Sequence, residues 1–182
     1  MHRHFRAVLL GLALLDAGGI PFCKGGVMAR EPDYRRTCEG WRKAGAHWVA
    51  HPDGEAVLAA DIFFDLAAVA GNATLADALR RDAIAAVATA LPFLRRLAES
   101  VDGAEASLGW FGPIRLKQGR VDVKRAVLMP IVATLRVLAL RRGVERVATK
   151  ERLQELRALG VVGEADAVAL ERARETAMAV LL

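Results

Sequence analysis

Thr74-Leu-Ala-Asp-Ala-Leu-Arg-Arg-Asp-Ala-Ile-Ala-Ala-Val-Ala88 is the stretch that decides the fold class. It is rich in alanine, the strongest helix former, and its apolar residues Leu75, Leu79, Ile84 and Val87 share one side of a 3.6-residue repeat. Gly71-Asn72 reads as a turn before it, with Thr74 as the expected cap. Toward the C-terminus the same grammar repeats. A helix is expected over 91–100. The longest runs over 124–142, where Pro130 either kinks it or marks its real start. A short helix from Thr149 to Leu159 is stopped by Gly160, and a last one covers Glu164 to Leu182.

Toward the N-terminus, residues 4–17 read as helix and 18–32 as an irregular stretch. Asp33 is the expected cap of a helix on which Tyr34, Trp41 and Trp48, seven residues apart, share a face. Two segments break the helical pattern. Ala59–Val69 contains Asp61-Ile-Phe-Phe-Asp-Leu66, where polar and bulky apolar residues alternate, and this predicts a strand. Gln118-Gly119, between alternating runs over 114–123, predicts a small hairpin. The expected fold is therefore mainly α, an antiparallel helical bundle with a small β element.

Composition bounds the function. The chain has 182 residues, 54% of them apolar and only 5% aromatic, enough to bury a core through small aliphatic side chains. Disorder as the general state is excluded. Cys23 and Cys38 make no disulfide framework, and they fit a reducing, cytoplasmic setting. His2, Arg3, His4 and Arg6 before the run Ala7–Leu15 outline a signal peptide. The run is too short to span a bilayer, and an amphipathic or buried helix ended by Gly18-Gly19 and Pro21 accounts for it better. The net charge of +5 comes mostly from arginines spread over the chain. Arg80-Arg81, Arg95-Arg96 and Arg141-Arg142 each close an apolar run, where cations complement a helix dipole. No concentrated basic tract with interleaved aromatics points to nucleic acid, and nothing points to a membrane.

Chemistry is sparse. His47 and His51 are four apart, but the intervening residues Trp-Val-Ala lack the glutamate of a zinc protease helix. Ser100 and Ser107 are the only serines, and neither lies in a Gly-x-Ser-x-Gly elbow; a phosphate-loop motif is absent. Cys23-Lys24-Gly25-Gly26 has two readings: an anion cradle of turned backbone amides with Lys24 adding charge, or a plain turn that needs glycine at positive φ. On a strand, Asp61, Phe63 and Asp65 would share a face. Four residues of strand cover about 13 Å, so both carboxylates could not hold one ion.

Taken together, several segments resemble a known family. Ile20-Pro-Phe-Cys-Lys-Gly-Gly-Val-Met-Ala29, Trp41 and Trp48, and Asp61-Ile-Phe-Phe-Asp-Leu-x-x-Val-x-Gly71 resemble bacterial signal-transduction nucleotidyltransferases, which are similar to the uridylyltransferase of the PII nitrogen-signalling protein. Leu108-Gly-Trp-Phe-Gly112, Gly119-Arg-Val-Asp-Val-Lys-Arg125 and Leu135-Arg-Val-Leu-Ala-Leu-Arg-Arg-Gly143 look like the helical substrate-binding domain that ends such proteins. The resemblance implies two parts: residues 1–71 as the C-terminal part of a nucleotidyltransferase-like domain, and 72–182 as the substrate-binding domain, C-terminally incomplete. It also implies magnesium and a nucleoside triphosphate for the full-length family. Partners would be an upstream catalytic or regulatory domain (CBS or cyclic-nucleotide-binding) or a protein substrate.

The family's Gly-Ser and Asp-x-Asp, which hold the metal ions, have no counterpart in the sequence. The expectation is a fragment that begins after that motif and is inactive alone, with a non-catalytic interaction module as the alternative. Asp65 would match the family's third carboxylate, although Asp65-Leu-Ala-Ala-Val69 stands where the family commonly has Asp-Leu-Arg-Pro-Val. Contacts to phosphate or substrate are expected from Lys24, Gly25, Gly26, Arg120 and Lys124, and no complete metal site is expected. Arg120, Lys124 and Arg125, with Arg115 and Lys117 across the hairpin, either stand in solvent or form a basic rim toward a catalytic domain.

Overall fold

In the computed structural model, residues 2–102 and 121–181 are described, and all their regular structure is helical. The elements are α1 (His2–Ala17), α2 (Cys38–Ala50), α3 (Gly54–Phe63), α4 (Ala73–Ala88), α5 (Leu91–Asp102), α6 (Met129–Arg141), α7 (Thr149–Ala158) and α8 (Glu164–Leu181). A 3-10 turn, Pro32–Tyr34, precedes α2, and a π-helical segment, Lys124–Leu128, precedes α6.

The mainly α expectation holds, and the small β element is corrected. Residues 59–63 are the C-terminal half of α3, and 64–66 continue its turn, with Phe64 N–H donating to Ala60 O at 2.9 Å and Leu66 N–H to Phe63 O at 3.0 Å. The reason lies upstream. Asp53 caps the helix by accepting from Ala56 N–H at 2.8 Å, so an alanine-rich run is already helical when it reaches Asp61. The buried set Ala56, Val57, Ala60 and Phe63 follows a helical repeat, and the local alternation over 61–66 is subordinate to it.

Other expectations shift by a cap or a turn. Tyr34 ends the 3-10 turn and is not on the helix of Trp41 and Trp48. Thr37, not Asp33, caps α2: its Oγ1 accepts from Gly40 N–H at 3.0 Å. Asn72, not Thr74, caps α4, accepting from Thr74 N–H at 3.0 Å, while Gly71 supplies φ +85° for the turn. Pro130 marks the real start of α6, in its first turn. It has no N–H for Ala126 O, and just before it Met129 N–H reaches back five residues to Lys124 O, the π register. Asp122 closes the start of that segment, accepting from Arg125 N–H at 3.0 Å. The predicted hairpin over 114–123 lies mostly outside the described residues; its described end, 121–123, is not strand.

The chain divides into two units, Met1–Trp41 and Arg42–Leu182. In the first, none of the residues whose burial is described is buried. Its ordering is local: α1 ends on Gly18 N–H to Leu14 O at 2.9 Å, and the Arg30 guanidinium lies 4.5 Å from the Phe22 ring. The second unit carries the core. An edge-to-face aromatic series runs Trp48, Phe63, Phe64, Phe93, with centroids 5.7, 5.9 and 6.2 Å apart. A second cluster joins Ile131, Leu135 and Ala139 of α6 to Leu153 and Leu156 of α7 and Ala167 of α8, with Val144 and Val162 from the connections. Helix α6 is central and packs against α4, α5 and α7. Gly143 and Gly160, at φ +68°, end α6 and α7 in the left-handed conformation.

Candidate functional site

Among the described residues, a buried cluster of charges lies where the end of α3 meets α6 and α7. Two arginines there are buried, Arg136 at 6% and Arg152 at 2% exposure. Arg136 is the only charged residue between Met129 and Leu140, and its position in an otherwise apolar helix turns it inward. Its guanidinium donates to Asp61 Oδ1 and Asp65 Oδ2, and Nε donates to Asp65 Oδ1 at 3.3 Å. Arg152 Nη2 donates to the same Asp65 Oδ1 at 2.8 Å and to Phe64 O at 3.3 Å, while its Nε donates to Arg146 O at 2.8 Å. The two carboxylates are partly exposed, so the cluster has a wet acidic side and a dry basic side.

The helical turn is what makes this possible. On a strand Asp61 and Asp65 would be too far apart to share a partner. At the end of α3 they are four residues apart on one face and converge on Arg136. The electrostatics of the two differ. Burial pushes the Asp61 carboxyl above its usual range, and the Arg136 charge only partly opposes this. Burial acts on Asp65 in the same direction. The hydrogen bonds and charge of Arg136, joined by those of Arg152, outweigh it and hold Asp65 below the usual range. For Arg152, burial depresses the guanidinium, Asp65 supports it, and the charges of Arg136 and Arg80 work against it.

This setting does not suit Asp65 as a magnesium ligand. Both of its oxygens already accept guanidinium N–H groups, and the adjacent positive charges repel a cation. Among the described residues, no group of three or more His, Cys, Asp or Glu side chains is placed to hold a metal ion. The His47 and His51 rings are 4.8 Å apart, and His51 Nδ1 lies 3.3 Å from His47 O.

Of the other sequence-predicted positions, Lys24, Gly25 and Gly26 belong to the first unit and Lys124 to the second. Lys24 and Gly25 form a turn in the first unit, with Gly26 N–H donating to Cys23 O at 3.1 Å and Gly26 at φ +69°. Cys23 N–H is directed to Met28 Sδ at 3.1 Å. These bonds are those of an ordinary glycine turn. Lys124 is exposed on the π-helical segment, and Arg120, with Arg115 and Lys117, lies outside the described residues. Sequence reasoning missed Arg136 and Arg152. The signal for Arg136 was present as a single charge in an apolar helix; Arg152 sits in a charged helix and carries no such mark. Near this cluster, Arg146, Glu151, Gln154 and Glu155 line an open cleft of about 450 Å³, across which Arg146 Nε meets Glu155 at 2.9 Å.

The second unit is thus a helical module organised around a central helix and a buried ionic cluster. The chain belongs to the family described as "Putative nucleotidyltransferase substrate binding domain", which matches residues 92–182. A second family, "Putative nucleotidyltransferase DUF294", matches residues 4–55. No curated protein and no solved structure matches the chain. No helix among the described residues is long and apolar enough to cross a membrane.

Proposed function

We propose that this chain serves as the substrate-binding helical part of a nucleotidyltransferase-like signalling protein and does not transfer nucleotides on its own. One observation carries the reading: Asp65, which the sequence resemblance alone sets against the family's third carboxylate, is committed to Arg136 and Arg152. A carboxylate held by two guanidinium groups is a poor metal ligand and a poor base. The sequence has neither a Gly-Ser nor an Asp-x-Asp pair to place two metal ions. Asp61 and Asp65 act as positioning residues that fix the end of α3 against α6 and α7. Incubation with labelled UTP or ATP, magnesium and a PII-type protein is expected to leave the protein substrate unlabelled. Transfer that disappears in Asp65→Asn would overturn the reading.

A second reading, a non-catalytic interaction module, draws on a different observation. Helix α1 exposes Val8, Leu10, Leu14 and Leu15, an apolar display that favours a protein partner such as a regulatory or catalytic domain. A monomer in size-exclusion chromatography that binds neither kind of domain would count against it.

A further inference from the structure

The end of α2 carries two histidines that the ionic cluster does not use. His47 and His51 are four residues apart, and His51, one residue past the end of α2, still donates its backbone N–H to His47 O at 2.9 Å. The helical register therefore runs through both, and both are exposed on one face. Their ring centres are 4.8 Å apart, with the planes tilted by 32°. His51 Nδ1 lies 3.3 Å from His47 O. With the proton on Nδ1 that contact is a hydrogen bond to the carbonyl, and it leaves the Nε2 lone pair free. Histidines that bind metal ions commonly hold their second ring nitrogen in this way.

From this geometry we propose that His47 and His51 form a chelating site for a divalent transition-metal ion of the zinc, nickel or copper type. Imidazole suits these ions, whereas magnesium and calcium prefer oxygen ligands. The spacing fits one shared ion. Metal–nitrogen bonds of about 2.0–2.1 Å put each ring centre roughly 3.2 Å from the ion. Ring centres 4.8 Å apart then subtend about 97° at it, between the octahedral and tetrahedral angles. The two imidazoles fill two positions and water fills the others, since the site faces solvent. The carbonyl end of α2 adds a favourable field for a cation. An ion held here staples the last turn of α2. Directly beyond it, Asp53 N–H donates to His51 O at 2.9 Å and the Asp53 side chain caps α3. The ion therefore fastens the junction between the two helices. The inference does not depend on whether the chain transfers nucleotides.

Zinc ion, titrated calorimetrically into the intact chain with magnesium as a parallel arm, tests it. Zinc is expected to bind and raise the melting temperature, and magnesium to do neither. His47→Gln and His51→Gln each remove one of the two ligands from an exposed position. Each is expected to weaken zinc binding at least about tenfold, with an unchanged far-ultraviolet circular dichroism spectrum. The chain's other candidate zinc ligands supply the controls: the pairs His2→Gln with His4→Gln and Cys23→Ser with Cys38→Ser are expected to leave the His47-dependent event in place. Nitrogen NMR of the histidine rings is expected to show zinc shifting Nε2 of both His47 and His51. Zinc binding no tighter than magnesium, equal zinc affinity in either folded glutamine variant, or loss of the event in either control would overturn the inference.

Discussion

Helices α1 and α5 are both rich in apolar residues, and they end in opposite states. In α1, Val8, Leu10, Leu14 and Leu15 are 47, 62, 64 and 49% exposed. In α5, Phe93, Leu94 and Leu97 are 0, 4 and 2% exposed. The difference is a neighbour. Helix α5 packs against α3, α4 and α6 within the second unit. In the first unit every residue from 6 to 41 is at least partly exposed, so its apolar content supplies no comparable burial. Apolar composition on its own does not make a core; a second apolar face at the right distance does.

The largest test of this contrast is truncation on each side of it. Phe93→Ala and Leu156→Ala, both at fully buried positions, are expected to destabilise by about 3–5 and 2–5 kcal/mol in urea unfolding. Leu10→Ala in α1 is expected to stay within about 0.5 kcal/mol. A large loss from Leu10→Ala would break the comparison. Next comes the ionic cluster. Arg136→Ala leaves Asp61 and Asp65 without their main partner. Breaking a fully buried pair costs about 3–5 kcal/mol, and the part-exposed carboxylates reduce this to about 2 kcal/mol. Replacement of Arg136, Arg152 and both aspartates together by apolar residues is expected to recover much of that loss.

Acidity separates the two carboxylates. Asp65 has a folded-state pKa below the unfolded value, so it contributes stability above the unfolded value, near 3.9, and loses it as pH falls through the folded value. Asp61 is shifted the other way. Its favourable contribution is complete below the unfolded value and fades as pH rises through the folded one. Asp65→Asn is therefore expected to cost more at neutral pH than in acid, and Asp61→Asn more in acid than at neutral pH. Unfolding midpoints across that range check both signs, and parallel profiles for the two variants would contradict them. The smallest effect is at a cap: Asn72→Ala is expected to cost about 1 kcal/mol, seen in thermal unfolding.

The helices with strong periodicity and clear stops were legible in the sequence. Residues 74–88, the helix ended by Gly160 and the start of α6 at Pro130 all follow from side-chain spacing and backbone restriction. The segment 59–69 was misread because six alternating residues fit a strand as well as a helix. Only the Asp53 cap, six residues before that segment, decides between them. The site was half legible. Asp61 and Asp65 stand out as carboxylates in an apolar run, but their partners are 71 to 87 residues away, and no local pattern announces that pairing.

That sequence distance leads to an expected order of assembly. The Arg152 side chain ties Phe64 and Asp65 at the end of α3 to a helix nearly ninety residues later. Closing so long a loop costs chain entropy before any contact repays it, so the tie belongs after the crossing of the folding barrier, once α6 and α7 have packed locally. Interactions made after the barrier act on escape from the native state and not on its formation. The cluster is therefore expected to act as a time lock: Arg152→Ala should speed unfolding more than it slows refolding, which stopped-flow kinetics would check.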